Sequence, residues 1–532
     1  MLEAIYNKWK SKYVTGEEQA PKPEMCGFIN TVEALELFKH HIDNRSNIVI
    51  HCDVDMDGLG SGYIVKRFMS QITPVEPACM INIGKEHSVK PKHAEALNKY
   101  NIGLLIIVDS SSSELETIKQ FNCDVLVVDH HEVDHKEYIG ITNDGKHRFV
   151  IVNNTLDNLD TNDINCWIKK NNPDTSVNIK PYIADDRMSC GLVIYELLRI
   201  YQEAFKLGEL LESMLLYQWS GVTLLTDAIP LLTDRNQWYI DNTVHSNDVE
   251  PTLYTIMRAL NKYIYKLDKS FISYTLAPTF NKAIRANQNA LVLDIVMKRP
   301  YDVEVLKQFR EVQDTTIEKA LELVVEKENY CLVDLTNTGL HNNYTGVIAG
   351  TVCDTYNKNT IVYSVENGLA IGSFRGRMTG SDYRKVFQDF DKYVYAQGHK
   401  GAFGFKIKVE DIDTIMNSLI NAENSDISNK PYLTAGDFPE VLKGEYHIDD
   451  FDTFRKQGGL LMLGMGNSKT SSDEQIMLTV PSHYANLIET RGKLFIYNVL
   501  NMECKAFEEI NKENPSINIY AEFNKSLEFF IK

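Results

Sequence analysis

Asn47-Ile-Val-Ile-His51-Cys-Asp53-Val-Asp55-Met-Asp57-Gly58 joins a short apolar run to carboxylates at alternate positions, closed by a glycine. A β-branched run with a polar end reads as a buried strand. Three more runs of this kind follow, Leu104 to Asp109, Val125 to Asp129 and Phe149 to Asn153, separated by helical patterns such as Gly60 to Met69 and Ser112 to Gln120. Strands alternating with helices predict an α/β domain with a mostly parallel sheet. Ligands of such sheets bind beyond the carboxyl ends of the strands, and three of these four ends carry Asp or His.

An acidic loop like Asp53 to Asp57 is, by itself, also what a solvated turn looks like. Two further strand ends change its meaning. Asp109 closes Leu-Leu-Ile-Ile-Val, and Asp129-His130-His131 closes Val-Leu-Val-Val, so carboxylates and imidazoles converge on one sheet edge. Their mutual repulsion calls for a cation. Mixed Asp and His ligation suits Mn²⁺ better than Mg²⁺, the second choice, with Zn²⁺ and Fe²⁺ left open.

His51-x-Asp53-x-Asp55-x-Asp57-Gly58, Asp109, Asp129-His130-His131 and Asp227 in Leu-Leu-Thr-Asp227-Ala-Ile-Pro230 together resemble the four motifs of the DHH phosphoesterases. The resemblance implies two metal ions: His51, Asp55 and Asp109 on one, and Asp57, Asp109, His130 and Asp227 on the other, with Asp109 bridging. It also implies that Asp129 orients His130 and that His131 faces the substrate phosphate, so Asp109, Asp129 and His131 are the expected catalytic set. Asp53 is either a ligand or a loop-stabilising acceptor. Two such cations activate water and neutralise charge in phosphodiester hydrolysis.

Ala277-Pro-Thr-Phe-Asn281-Lys-Ala-Ile-Arg285 resembles the Pro-x-x-Asn-x-x-Gly-Arg signature of RecJ-type enzymes, with Ile284 at its glycine. Ile371-Gly-Ser373-Phe-Arg375-Gly376 resembles the Ser-x-Arg-Ser element of the associated DHHA1 domain, and Gln397-Gly-His399 its Gly-Gly-His motif. The resemblance covers roughly residues 45 to 410. It implies a 5′→3′ single-stranded DNA exonuclease releasing mononucleotides, with Asn281, Arg285, Ser373, Arg375 and His399 gripping the strand end. The alternatives are a phosphodiesterase for oligoribonucleotides or cyclic dinucleotides, and an inactive scaffold in replication or repair.

The expected domains are a DHH domain over 1–245, a connecting region over 246–329 with a long helix near Val303 to Glu328, an α/β DHHA1 domain over 330–420, and a β-rich C-terminal domain over 431–532 for which the resemblance implies an OB-like module. A helical portion runs from about Asp186 to Asn261. Strands are expected near Tyr330 to Leu335, Thr345 to Val352, Thr360 to Glu366, Leu460 to Leu463, Ile476 to Val480, Lys493 to Val499 and Ile517 to Phe523, with a linker at Asn421 to Lys430.

At 532 residues the chain can bury several cores, and its nine scattered cysteines read as reduced residues. No apolar leader or membrane-length run is seen, which predicts a soluble, cytoplasmic protein; a monomer is expected. A net charge of -18 argues against indiscriminate coating of nucleic acid. Against that background, Arg258 to Arg310 holds ten Lys or Arg and four acids, with Tyr254, Tyr263, Tyr265, Phe271, Tyr274 and Phe280 in or beside it. Rings among cations suit single strands, and the resemblance implies that the strand is DNA and that a single-strand-binding protein or helicase is the partner class.

Overall fold

The computed structural model describes residues 22–426 apart from 159, 184–187, 228, 230–232, 264, 357, 377–382, 389–394 and 400, together with seven strands between 445 and 531. The chain divides into two compact units, one spanning Gln19–Arg310 and the other including Glu311–Lys532. Residues 246–310, read as a connecting region, therefore pack with the first unit.

The first unit begins with a two-residue strand, β1 (Cys26–Gly27). Its main sheet contains β2 (Ile48–Cys52), β3 (Ala78–Ile81), β4 (Leu104–Val108), β5 (Asp124–Asp129), β6 (Ile139–Ile141) and β7 (Arg148–Asn153), in the order β3-β2-β4-β5-β7-β6. All pairs are parallel except β6 with β7. Alternate residues of each central strand serve opposite cores. Leu104, Ile106, Val108, Leu126 and Val128 join one cluster, whereas Leu105, Ile107, Val125 and Val127 join the other. Burial on both faces explains why these strands read as unbroken apolar runs. Each such side chain contributes about 1.5–3 kcal/mol by leaving water.

The helix after β2, Met56–Ile72, starts because the Asp55 carboxylate accepts from the backbone N–H groups of Asp57 and Gly58. It stops ahead of Thr73-Pro74, where a proline disfavours helical backbone in the residue before it. Gly58 is required by close approach: a Cβ there would sit 2.6 Å from the Asp53 nitrogen. The loop of carboxylates is thus folded tightly onto the first turn of its own helix. The helical portion that follows contains Cys190–Ala204, Tyr217–Thr226, Asp234–Val244 and Pro251–Leu260.

A short strand, β8 (Lys180–Pro181), pairs with β1. In the second unit, β9 (Val324–Glu326), β10 (Tyr330–Asp334), β11 (Asn359–Glu366), β12 (Leu369–Arg375), β13 (Tyr395–His399) and β14 (Ala402–Lys408) form a sheet in the order β13-β14-β12-β11-β10-β9. Helix Thr345–Tyr356 packs on one face, and Tyr383–Gln388 and Ile412–Asp426 on the other.

Three expectations are corrected here. Thr345 to Val352 is helical, because its buried residues, Thr345, Ile348, Ala349, Val352 and Cys353, recur at helical spacing and override its β-branched content. The long helix ends at Leu321, since Val324 to Glu326 pair antiparallel with β10, and its expected start is 3₁₀ over Pro300–Gln308. The first half of the supposed linker belongs to Ile412–Asp426. Near the C-terminus a seven-stranded sheet includes Gln475–Pro481, Lys493–Val499 and Ser516–Phe523, matching three of the expected strands, while Leu460 to Leu463 lies outside the described residues. Among the described residues no helix is long and apolar enough to cross a membrane.

Candidate metal centre

The carboxyl ends of β2, β4 and β5 place their polar residues at one edge of the first sheet, and the end of helix Tyr217–Thr226 brings Asp227 to it. His130 is the meeting point. Its Nε2 lies 3.2 Å from Asp109 Oδ1, 3.3 Å from Asp227 Oδ2 and 3.7 Å from Asp57 Oδ2. Asp57 is further fixed by the backbone N–H groups of Cys190 and Gly191, which donate to its two oxygens at 2.7 and 2.9 Å.

Asp109 holds a left-handed backbone with φ of 67°, a conformation that Asp tolerates better than most residues. Burial raises its carboxyl well above the usual range, and the neighbouring Asp57 and Asp55 add to the effect. Burial likewise lifts Asp57 to about 7, with Asp227 and Asp55 contributing and His130 opposing. Asp109 Oδ1 and Asp227 Oδ2 are buried without a hydrogen-bond donor. Crowded carboxyls with unused oxygens fit a cation.

Among the described residues, three groups have ligand atoms within 4.8 Å of one another: Asp57, His130 and Asp227; Asp109, His130 and His131; and Asp53, Asp55 and Asp109. The first reproduces three members of an expected ligand set, and His130 links it to Asp109. The last holds Asp55 and Asp109 of the other expected set together with Asp53, for which ligation was one of two expected roles; the difference is that His51 stands outside it. His51 is buried on β2 with Nε2 2.9 Å from Asn82 Oδ1, and its Nδ1 has no hydrogen-bond partner. Burial lowers its pKa, which favours the neutral ring.

The second difference concerns Asp129. Its Oδ1 lies 2.7 Å from the ring Nδ1 of His131 and accepts from the backbone N–H groups of His130 and His131, while Oδ2 accepts from the Ser112 N–H. The carboxylate therefore orients the imidazole of His131, and its hydrogen bond to His130 is to the backbone N–H. Partial desolvation opposes protonation of the His131 ring, but the Asp129 carboxylate overrides it and the pKa rises to about 10. The ring is 59% exposed.

A loop after β3 supplies groups that the sequence reading missed. Asn82 donates to the carbonyls of Glu86 and Ser88, which directs its Oδ1 toward His51. His87 Nδ1 lies 2.7 Å from Asp53 Oδ2. Burial lowers the Lys85 pKa, with Asp55 opposing and Arg285 reinforcing the shift. Arg285, on helix Ala277–Arg285, is therefore near this loop, and Asn281 on the same helix has a buried Oδ1 with no donor.

In the second unit, Ser373 Oγ is 2.9 Å from Thr345 Oγ1, and a Cβ added at Gly346 would lie 3.1 Å from Arg375 Nη2. Arg375 and His399 both register with Ala402, one on each side of β14.

Residues 47–146 match the model of the DHH family, N-terminal domain. Over 559 aligned residues the chain is 21% identical to the "Putative SPbeta prophage-derived single-strand DNA-specific exonuclease YorK" of Bacillus subtilis (strain 168), covering 92% of this chain and 90% of that protein. It is 20% identical over 426 residues to the single-stranded-DNA-specific exonuclease RecJ of the same organism, covering 75% of this chain and 48% of RecJ. The crystal structure of RecJ in complex with Mn²⁺ from Thermus thermophilus superposes with a TM-score of 0.59 at 15% identity, covering 99% of this chain and 74% of that one. Residues 47–146 thus carry the match to the DHH family, N-terminal domain, with its motifs on the strand ends of a RecJ-like fold.

Proposed function

We propose that the chain is a divalent-metal-dependent phosphodiesterase that degrades single-stranded DNA from the 5′ end, releasing mononucleotides. The observation that carries this reading is His130 Nε2 among the carboxylates of Asp57, Asp109 and Asp227, two of which keep buried oxygens without donors. Asp57, Asp109, His130 and Asp227 would hold one Mn²⁺, and Asp53, Asp55 and Asp109, with His51 beside them, a second. Bound there, the cations supply a more acidic water and neutralise charge on the phosphate.

The protein's own groups do the rest. Asp129 takes Nδ1 of His131 and leaves Nε2 as the ring's remaining polar atom, which donates to a phosphate oxygen while the ring is protonated. Asn281, Arg285, Ser373, Arg375 and His399 receive the terminal phosphates and set polarity. Guanidinium groups suit that task because they contact phosphate in a bidentate way. The relatives named for single-stranded DNA support this substrate.

Product analysis tests the reading. Matched DNA and RNA strands labelled at each end are digested with Mn²⁺ or Mg²⁺. Mononucleotides released from the 5′ end of DNA are expected, and a marked preference for a dinucleotide would replace this substrate with a small one.

A further inference from the structure

The basic stretch from Arg258 to Arg310 contains rings of two kinds. Phe271 and Phe280 are 3% and 0% exposed and belong to the core, whereas Tyr254, Tyr263, Tyr265 and Tyr274 are 43%, 77%, 69% and 73% exposed. Phenylalanines here do the packing, and the tyrosines face water.

Two of those tyrosines, Tyr263 and Tyr265, gather with cations just past the C-terminal end of one helix, and Tyr254 lies one turn back along it from Arg258. Tyr254 and Arg258 are four residues apart on Pro251–Leu260, which places them on one face. The Arg258 guanidinium lies 4.5 Å from the Tyr265 ring centroid and donates to the Lys262 carbonyl. The Lys262 ammonium lies 5.2 Å from the Tyr263 centroid, and Lys307 donates to the Ala259 carbonyl at 3.1 Å. Unsatisfied carbonyls at a helix C-terminus account for the cations. They do not account for the rings, because a helix end gains nothing from exposed aromatic surface.

We propose that Tyr254, Arg258, Lys262, Tyr263 and Tyr265 form a stacking platform for the unpaired bases of a nucleic-acid strand. A cation against one face of a ring holds the ring in place and leaves the opposite face to a base, while the same charges neutralise the flanking phosphates. The sign is right for a polyanion: this excess of cations stands out in a chain whose net charge is -18. The proposal rests on the phosphodiesterase reading of the metal centre and adds to it a contact that only a strand can use.

The test measures binding by the full-length protein, with Ca²⁺ replacing Mn²⁺ to suppress hydrolysis, of 5′-labelled oligothymidylates of about four and about thirty nucleotides. Tyr263→Ala with Tyr265→Ala should lower affinity for the long strand roughly tenfold or more and affect the short one much less. Tyr263→Phe with Tyr265→Phe should restore it, since the ring and not the hydroxyl stacks. Arg258→Gln with Lys262→Gln should reduce the salt dependence for the long strand by about 1.4 in the log–log slope.

Equal losses at both lengths, or none, would overturn the platform while leaving the metal centre's reading intact, provided that the unaltered protein digests long strands. If the unaltered protein neither binds nor digests them, both readings fall together. A dimer in sedimentation that the alanine variant disperses, with strand affinity unchanged, would assign the surface to a second copy of the chain instead.

Discussion

Nε2 of His130 stands 3.2 Å from Oδ1 of Asp109, joining the end of β5 to the end of β4 across the sheet edge. The same nitrogen is 3.3 Å from Asp227, and one imidazole nitrogen carries at most one proton to share. Without a cation the buried oxygens Asp109 Oδ1 and Asp227 Oδ2 lack donors, and a cation would give both a partner.

Removing the shared carboxylate should therefore separate stability from activity. Asp109→Asn is expected to lower turnover by roughly three orders of magnitude while the apoprotein melts at the same temperature or higher, because a carboxyl opposed by Asp57 and Asp55 is gone. Added Mn²⁺ raises the melting temperature of the unaltered protein by mass action, and should raise that of the variant much less. Calorimetry with and without Mn²⁺ checks both.

Asp53 and His51 make competing claims on the second ion. Asp53 lies in a candidate group with Asp55 and Asp109, and His51 is held at Asn82. Asp53→Asn should weaken Mn²⁺ binding more than His51→Gln does, by roughly tenfold or more. Isothermal titration gives affinity and stoichiometry; the reverse order would restore His51 as the ligand.

Because Asp129 acts on His131, the two should behave as one unit. Asp129→Asn is expected to reduce turnover roughly 10- to 100-fold, His131→Asn by a similar factor, and the double variant by little more than either alone. Single-turnover rates supply the cycle. Additive losses would separate the two residues.

Acid stability should report on the opposite end of the same strand. At the start of β5, Asp124 Oδ2 is 3.0 Å from His41 Nε2, and Oδ1 accepts from the Arg148 N–H at 2.7 Å. Burial alone would raise this carboxyl, but His41 and the Arg148 N–H hold it below its ordinary value. A depressed folded-state pKa contributes stability that is full above the unfolded value, about 3.9, and is lost as pH falls through the folded one. Asp124→Ala should cost about 1–3 kcal/mol near neutrality, and the difference from the unaltered protein should shrink toward pH 2–3. Urea titrations at several pH values measure it.

In the second unit, Gly346→Val should act through its neighbour. The new Cβ would lie 3.1 Å from Arg375 Nη2, so the guanidinium must shift. Affinity for 5′-phosphorylated strands is expected to drop as it does in Arg375→Ala, roughly tenfold. Binding that is unaffected in both variants would remove Arg375 from terminus recognition.

The strand ends were legible because burial on both faces writes β2, β4, β5 and β7 as unbroken apolar runs with polar termini. Strand β3 was not, being four residues long and only partly buried, so its own carboxyl-end residues, Asn82, Lys85 and His87, went unread. The rule that found Asp109 would have found them had Ala78-Cys-Met-Ile81 been recognised as a strand. Which ring Asp129 would hold was not readable either, since His130 and His131 are adjacent and the backbone turn at the strand end decides between them. Thr345 to Val352 misled because Val, Ile and Thr suggest a strand until their helical recurrence is weighed.

Asp129 also fixes a length. Its carboxylate spans the loop after β4, through the Ser112 N–H, and the loop after β5, through the His130 and His131 N–H groups. It works as a gauge block between two loops that are also tied from Ser113 Oγ to the Glu132 carbonyl and from His135 Nε2 to the Ser112 carbonyl. The apolar runs behind it can exchange one branched side chain for another and keep the sheet. A glutamate at position 129, one methylene longer, keeps the charge and changes the gap. The centre should therefore tolerate drift in what lies beneath it far better than a change of reach at this one position.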